Sequence, residues 1–163
     1  MAKSTPELII DQIEAILEAA TWVNITTPDI FKGLTIWDPA TQPLPLITII
    51  PRPEKADTDK YGGVSCTKNI EITALIPMDT AEAPIYPADT AMVGEAVAME
   101  IRALIFGSRV NGKWAGFPDE LTNIRYVEGG VFAYPDELNP QLMSAGITIE
   151  VKYDVELYPD EDE

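Results

Sequence analysis

The sequence offers few side chains of the kinds that carry out catalysis. It contains no histidine, which is the commonest general base and zinc ligand. The single cysteine, Cys66, has no histidine to activate it and falls at the start of a predicted strand, so we expect a buried, unreactive thiol. No G-x-S-x-G, P-loop or G-x-G-x-x-G motif occurs. The sequence therefore does not indicate nucleophilic catalysis or phosphate binding.

Carboxylates are the remaining candidates for chemistry. Asp57 and Asp59 are close enough in sequence to approach one divalent cation. Lys55 and Lys60 flank them, which is more typical of a solvated loop tip than of a metal site. We predict no metal and no cofactor. A small enzyme that uses carboxylates alone remains an alternative, and loss of turnover in Asp57→Asn would support it.

The longest unexplained stretch is "PRPEKADTDKYGG", which separates two predicted strands. The first strand, Leu46–Ile50, is expected to break at Pro51 and Pro53, and the second begins after Gly63. A tight hairpin needs only about two to five loop residues, so this charged loop is longer than the turn requires. Because its residues cannot serve a core, we predict that they contact another chain. The candidates are Arg52, Glu54, Lys55, Asp57, Asp59, Lys60 and Tyr61.

Two aromatic residues, Trp114 and Phe117, lie in a second, glycine-rich loop predicted over residues 108–120. They have two interpretations. They could fold back over the core as a lid, or they could anchor another chain, because exposed aromatic residues mark interfaces. The sequence leaves both open, and we include both residues among the candidate contacts.

The elements that position these residues are two helices and several strands. The first helix begins with a capping box formed by Ser4 and Glu7, and a one-sided apolar stripe follows. The second, Pro87–Gly107, is apolar nearly all round and is predicted to be the central, most buried helix. Residues 21–33 are predicted as a loop. The predicted strands are Leu34–Trp37, Leu46–Ile50, Val64–Ile76, Leu121–Tyr134 and Ser144–Leu157.

This order predicts an α+β fold. We expect a mostly antiparallel β-sheet with two main helices packed on one face, and a long projecting β-hairpin arm at the charged stretch. The chain of 163 residues is predicted to form a single domain over residues 1–159, followed by an acidic C-terminal tail, residues 160–163.

The charge balance narrows the classes of partner. There are 27 acidic and 11 basic residues, for a net charge of −16, which argues against binding to nucleic-acid phosphates or anionic lipid. The first residues lack a signal-peptide pattern, and no apolar run approaches the ~20 residues of a membrane span. We therefore expect a cytoplasmic protein or a component of a particle.

The order of elements resembles the tail terminator (tail completion) proteins of tailed bacteriophages. The resemblance lies in a capped amphipathic helix, the strand "PLPLITIIP", a long charged hairpin and the returning strand "NIEITALIP". The helix "AMVGEAVAMEIRALIFG", the strand "IRYVEGG" and the final strand "GITIEVKYDVELYP" complete it. It spans Leu8 to Pro159 and is one of layout, without a signature motif.

The resemblance implies a structural virion protein without enzyme activity. It implies a ring, typically a hexamer, that caps the head-proximal end of the tail tube, ends tube growth and provides the surface for joining the head. The implied partners are other copies of the chain, the tail tube protein, the head–tail connector or neck protein and, in a contractile tail, the sheath. DNA would pass through without specific binding, and no membrane is involved. The expected location is the virion, and the host cytoplasm during assembly. Another neck or head-completion protein is the nearest alternative.

Overall fold

The structure is a computed structural model that describes residues 3–34, 37–38, 40–58, 63–77, 87–135 and 142–156. The predicted acidic tail, residues 160–163, lies outside them. Within these ranges the elements, in chain order, are α1 Thr5–Ala19, β1 Asp29–Lys32, β2 Leu46–Thr58, β3 Gly63–Pro77, α2 Pro87–Phe106, β4 Arg109–Val110, β5 Lys113–Trp114, β6 Leu121–Pro135 and β7 Leu142–Glu156.

Five of these strands form one sheet in the order β1-β2-β3-β7-β6. Every neighbouring pair in it is antiparallel except β1–β2, which is parallel. The short strands β4 and β5 form a separate two-stranded sheet. The helices contact each other and share one hydrophobic core with the sheet. The predicted α+β fold is confirmed.

Helix α1 begins as the sequence predicts. The Glu7 carboxylate accepts hydrogen bonds from the backbone N–H and the hydroxyl of Ser4, both at 2.7 Å. These bonds lower the pKa of Glu7, because they stabilise the charged carboxylate. Along the helix, Ile9, Ile13 and Leu17 are completely buried. Their spacing of four residues places one apolar stripe against the sheet.

Strand β7 has the two-residue alternation that the sequence predicts. Ile147, Ile149, Val151 and Tyr153 have no exposed surface. The residues between them point to the opposite face, where Lys152 is exposed. Since successive side chains of a strand alternate between faces, one face of the sheet lies under the helices and the other is polar along this part of β7.

Two details of the predicted layout are wrong. The first concerns α2, which is not buried all round: Val97, Ala98, Ile101 and Ile105 lie in the core, but Val93 is 44% exposed and Met99 is 42% exposed. The helix packs mainly on β7 and β6, with smaller contacts to α1 and β3. Its apolar composition therefore exceeds what its burial requires.

The second correction concerns the strand predicted at Leu34–Trp37. The strand forms earlier, at Asp29–Lys32, within the segment predicted as a loop, and pairs in parallel with Leu46–Ile49. Residues 35–36 lie outside the described part of the chain. The Leu34 carbonyl accepts a hydrogen bond of 2.9 Å from the Thr48 hydroxyl of β2, which holds the chain against the sheet after β1 ends.

Adjacent substitutions in β7 test this arrangement. Val151→Asp would bury a carboxylate without a partner, so we expect it to lower the free energy of unfolding by several kcal/mol. Lys152→Asp, on the polar face, should change it by less than about 1 kcal/mol. Urea unfolding of the two variants as monomers measures both values, and equal losses would contradict the assignment of faces.

Candidate functional site

The charged stretch predicted as a loop is mostly a strand. Strand β2 does not break at Pro51 and Pro53 but continues to Thr58, pairing antiparallel with β3, and the register shifts between Pro51 and Glu54. Proline lacks an N–H and is tolerated on an edge strand or at a bulge. Beyond Ile49 strand β2 is an edge strand, because β1 pairs with it only along Leu46–Ile49. The register shift between Pro51 and Glu54 supplies the bulge.

We call residues 51–58 of β2 together with residues 63–69 of β3 the hairpin arm. All eight residues of its β2 part are exposed. Its β3 part is paired with β7 as far as Gly63 opposite Glu156. The described part of the arm therefore extends the sheet and does not project freely from it. Three candidate contacts, Asp59, Lys60 and Tyr61, lie outside the described residues.

The prolines and charges of this edge have an explanation that needs no partner. A sheet edge presents unpaired backbone N–H and C=O groups, and proteins commonly protect such edges with proline and charged side chains. Arg52, Lys55 and Asp57 fit that role, because all three are exposed along the edge. Edge protection and contact with another chain are compatible uses of the same residues.

Glu54 differs from the other charged residues of the arm because its side chain bonds to a fully buried residue. After the register shift it lies opposite Lys68, on the face that carries Cys66 and Tyr153. Its carboxylate accepts a hydrogen bond from the Tyr153 hydroxyl, and Tyr153 has no exposed surface. A buried tyrosine hydroxyl normally needs a partner, so Tyr153 in an apolar strand face was a signal for this bond in the sequence. The bond ties the arm to the core.

The same surroundings determine the chemistry of the cysteine. Cys66 is buried, as the sequence predicts, and burial, reinforced by the Glu54 carboxylate, raises the pKa of its thiol to about 11. The pKa of the Tyr153 hydroxyl is also raised, first by burial and then by Glu54. Since the thiolate is the reactive form, Cys66 is a poor nucleophile at neutral pH.

The polar face of the sheet lies beside the arm. An open hollow of about 510 Å³ is lined there by Asp57, Ser65, Thr67, Asn123, Arg125, Glu150 and Lys152. Arg125 forms an ion pair with Glu150, and Arg52 forms another with Glu71 at 2.8 Å. Among the described residues, no group of three His, Cys, Asp or Glu side chains is placed to hold a metal ion.

The two aromatic candidates occupy different environments. Phe117 is only 8% exposed and belongs to the core, so it has little surface to offer another chain. Trp114 is half-buried and contacts Phe117 and Phe106 edge-to-face, with ring centres 6.5 and 5.9 Å apart. Phe117 therefore folds back over the core, as in the lid interpretation. Trp114 keeps some exposed surface that another chain could contact.

The sequence predicts a loop over residues 108–120, but the part of this segment that carries Trp114 contains two short strands. Strands β4 and β5 form a small hairpin in which Arg109 lies opposite Trp114. Its turn is Asn111-Gly112, with φ of 52° and 77°. Asn-Gly is the preferred pair for a two-residue hairpin turn, because both positions require positive φ. The dipeptide was therefore a signal in the sequence that our predictions did not use.

The buried pair should make the protein less stable at alkaline pH. Between about pH 9 and about pH 11 the folded state keeps the Cys66 proton that the unfolded state has already lost. Raising the pH through this range therefore favours unfolding, and the contribution of the protonated thiol to the free energy of unfolding is lost. Cys66→Ala should reduce the fall in the free energy of unfolding over this range, as measured by urea unfolding. An aromatic disulfide reagent should react slowly with the native thiol at pH 8 and quickly in denaturant. Fast native labelling would contradict this description.

Comparison with known proteins adds no assignment: no protein-family model matches the chain, and no curated protein matches it. A search of the described helices found none that is long and apolar enough to cross a membrane.

Proposed function

We propose that the chain is a tail terminator subunit of a tailed bacteriophage. In this role its copies form a ring that caps the head-proximal end of the tail tube and joins the head connector. The observation that carries the proposal is the hairpin arm, an extended edge whose β2 residues are all exposed and bear both signs of charge. The order of helix, strand, long hairpin, helix and two closing strands supports the same function.

In a closed ring each subunit contacts its two neighbours through two different surfaces, and each of these surfaces binds the other one on the next subunit. The arm supplies one such surface. Because its β3 part is paired with β7, it can reach a neighbour without losing its own conformation, which limits the entropy lost on binding. Lys55 and Asp57 point to the polar face of the sheet, where they can meet charges of either sign.

The remaining partners follow from the position of such a ring. One side contacts the tail tube protein, the other contacts the connector or neck protein, and a sheath would contact the outside in a contractile tail. The role is structural, with no catalytic step, and its location is the virion. The net charge of −16 suits a passage through which DNA slides without binding.

Exchanging the two arm charges tests the proposal. In the double variant Lys55→Glu with Asp57→Lys, net charge is unchanged and both side chains stay exposed, so the monomer should keep its melting temperature. We expect the wild type to form rings on tail tubes assembled without a terminator, seen by negative-stain microscopy, and the variant to leave tube ends open.

The matched control exchanges two charges at opposite ends of α1, Lys3→Glu just before the helix with Glu18→Lys in its last turn, and both residues are also exposed. It should cap tubes as the wild type does. Wild-type protein that stays monomeric with tube ends present would refute the proposal. Rings that bind only the connector would favour another neck or head-completion protein.

A second expectation concerns DNA. We expect no duplex binding at physiological salt, because phosphate binding needs clustered cations and the chain has 16 more acids than bases. A gel-shift experiment at ~10 μM protein, within the range of typical non-specific dissociation constants of roughly 1–100 μM, measures this, with titration to higher protein as its extension. A retained complex that dissociates with added salt would point to a nucleic-acid-binding protein instead.

A further inference from the structure

The C-terminal half of α2, the β4–β5 hairpin and the middle of β6 bring aromatic rings and arginines together on one surface. Phe106 stacks on Tyr126 with ring centres 4.4 Å apart, and Trp114 meets the edge of Phe106. The Arg102 guanidinium lies 5.6 Å from the Tyr126 ring centre, and that of Arg109 lies 5.6 Å from the ring centre of Trp114. We call these five residues the arginine–aromatic patch.

The two arginines of the patch differ from the other two in the chain. Arg52 and Arg125 each form an ion pair with a glutamate. Within the described part of the chain, neither Arg102 nor Arg109 has a carboxylate within 4.0 Å. A guanidinium that lies over an aromatic ring keeps its N–H donors at the edge of its plane, where they can bind a carboxylate in two-pronged geometry. The patch therefore holds two unused carboxylate-binding groups in a chain that has a large excess of carboxylates.

Apolar surface surrounds these charges. Tyr126 is 39% exposed, Val110 is 54% exposed and Met99 is 42% exposed. Met99, Arg102 and Phe106 follow one another along one side of α2, at spacings of three and four residues. Aromatic rings, methionine and arginine are the residue types enriched in protein interfaces, whereas lysine and glutamate are depleted.

We infer that the arginine–aromatic patch binds an acidic surface of a second copy of this chain. Charge complementarity selects this occupant, since every copy carries a net charge of −16 and the patch presents two unpaired guanidinium groups. The inference rests on the proposed ring, in which each copy needs a receiving surface distinct from the arm. Phe117, buried beneath Trp114, supports the patch from the core.

The test removes the two charges and leaves the rings. Sedimentation velocity of the full chain over a range of concentrations gives the dissociation constant of self-association for wild type and for Arg102→Gln with Arg109→Gln. We expect this constant to rise at least about tenfold, because interface arginines commonly contribute that much or more. The control Lys3→Gln with Lys32→Gln removes the same charge from Lys3 before α1 and Lys32 at the end of β1, both ion-paired with Asp11, and its dissociation constant should stay within about threefold of the wild type.

A third variant separates charge from geometry. Arg102→Lys with Arg109→Lys keeps both charges but loses the planar fork and its stacking on the rings, so its dissociation constant should lie between those of the wild type and the glutamine variant. Added salt should weaken wild-type association more than that of the glutamine variant. Melting temperatures of all variants check that each is folded.

The outcomes separate this inference from the ring proposal. If the wild type self-associates and the glutamine variant does so equally well, the inference is wrong and the ring proposal stands. If association depends on the two arginines but the protein does not cap tail tubes, the ring proposal fails and the inference stands. A wild type that remains monomeric at every concentration overturns the inference. So does wild-type binding to a single-stranded oligonucleotide that the glutamine variant loses, because the occupant would then be a nucleic acid.

Discussion

The structure depends on the continuous antiparallel ladder between β3 and β7. The two strands are paired without a register shift from Gly63 opposite Glu156 to Pro77 opposite Leu142, whereas the β2–β3 and β6–β7 ladders on either side contain shifts. At Gly146 the approach is so close that a Cβ would lie 1.9 Å from the Ile72 carbonyl oxygen, which leaves room only for glycine. Because burial alternates along residues 147–154 of β7, a slip by one residue there would exchange the buried and polar faces.

This ladder makes one end of the sheet differ from the other. Around Ile147 and Ile149 the core face of β7 packs against α2, whereas toward Gly63 the same ladder carries the hairpin arm along its edge. The hydrogen bond from Tyr153 to Glu54 lies between the core-facing part of the ladder and the part that carries the arm. This bond attaches the exposed end of β2 to a buried residue of β7. The conformation of the arm is therefore set by the fold before any partner binds.

The sequence predicted the structure well where burial repeats along consecutive residues. It predicted less where contacts join residues that are far apart in the sequence. The alternation of β7 and the capped stripe of α1 are properties of consecutive residues, and both predictions are confirmed. The continuation of β2 past Pro51 depends on its position at a sheet edge, which one sequence does not display. The Glu54–Tyr153 bond joins residues 99 positions apart, and the Arg102–Tyr126 contact joins α2 to β6. Neither leaves a periodic trace in the sequence, so the candidate contacts could be named by residue type but not grouped into surfaces.

Charge connects the fold to the proposed assembly. Copies of a chain with a net charge of −16 repel one another, and at physiological salt the repulsion extends over roughly 8 Å. Subunits can therefore associate only where the contact itself offsets that repulsion. The two arginines beside the polar face, Arg52 and Arg125, already hold glutamates. Arg102 and Arg109 lie over aromatic rings instead, and binding a neighbour's carboxylate there would cost no existing ion pair among the described residues. The placement of these two arginines on rings thus leaves both guanidinium groups available to another acidic surface.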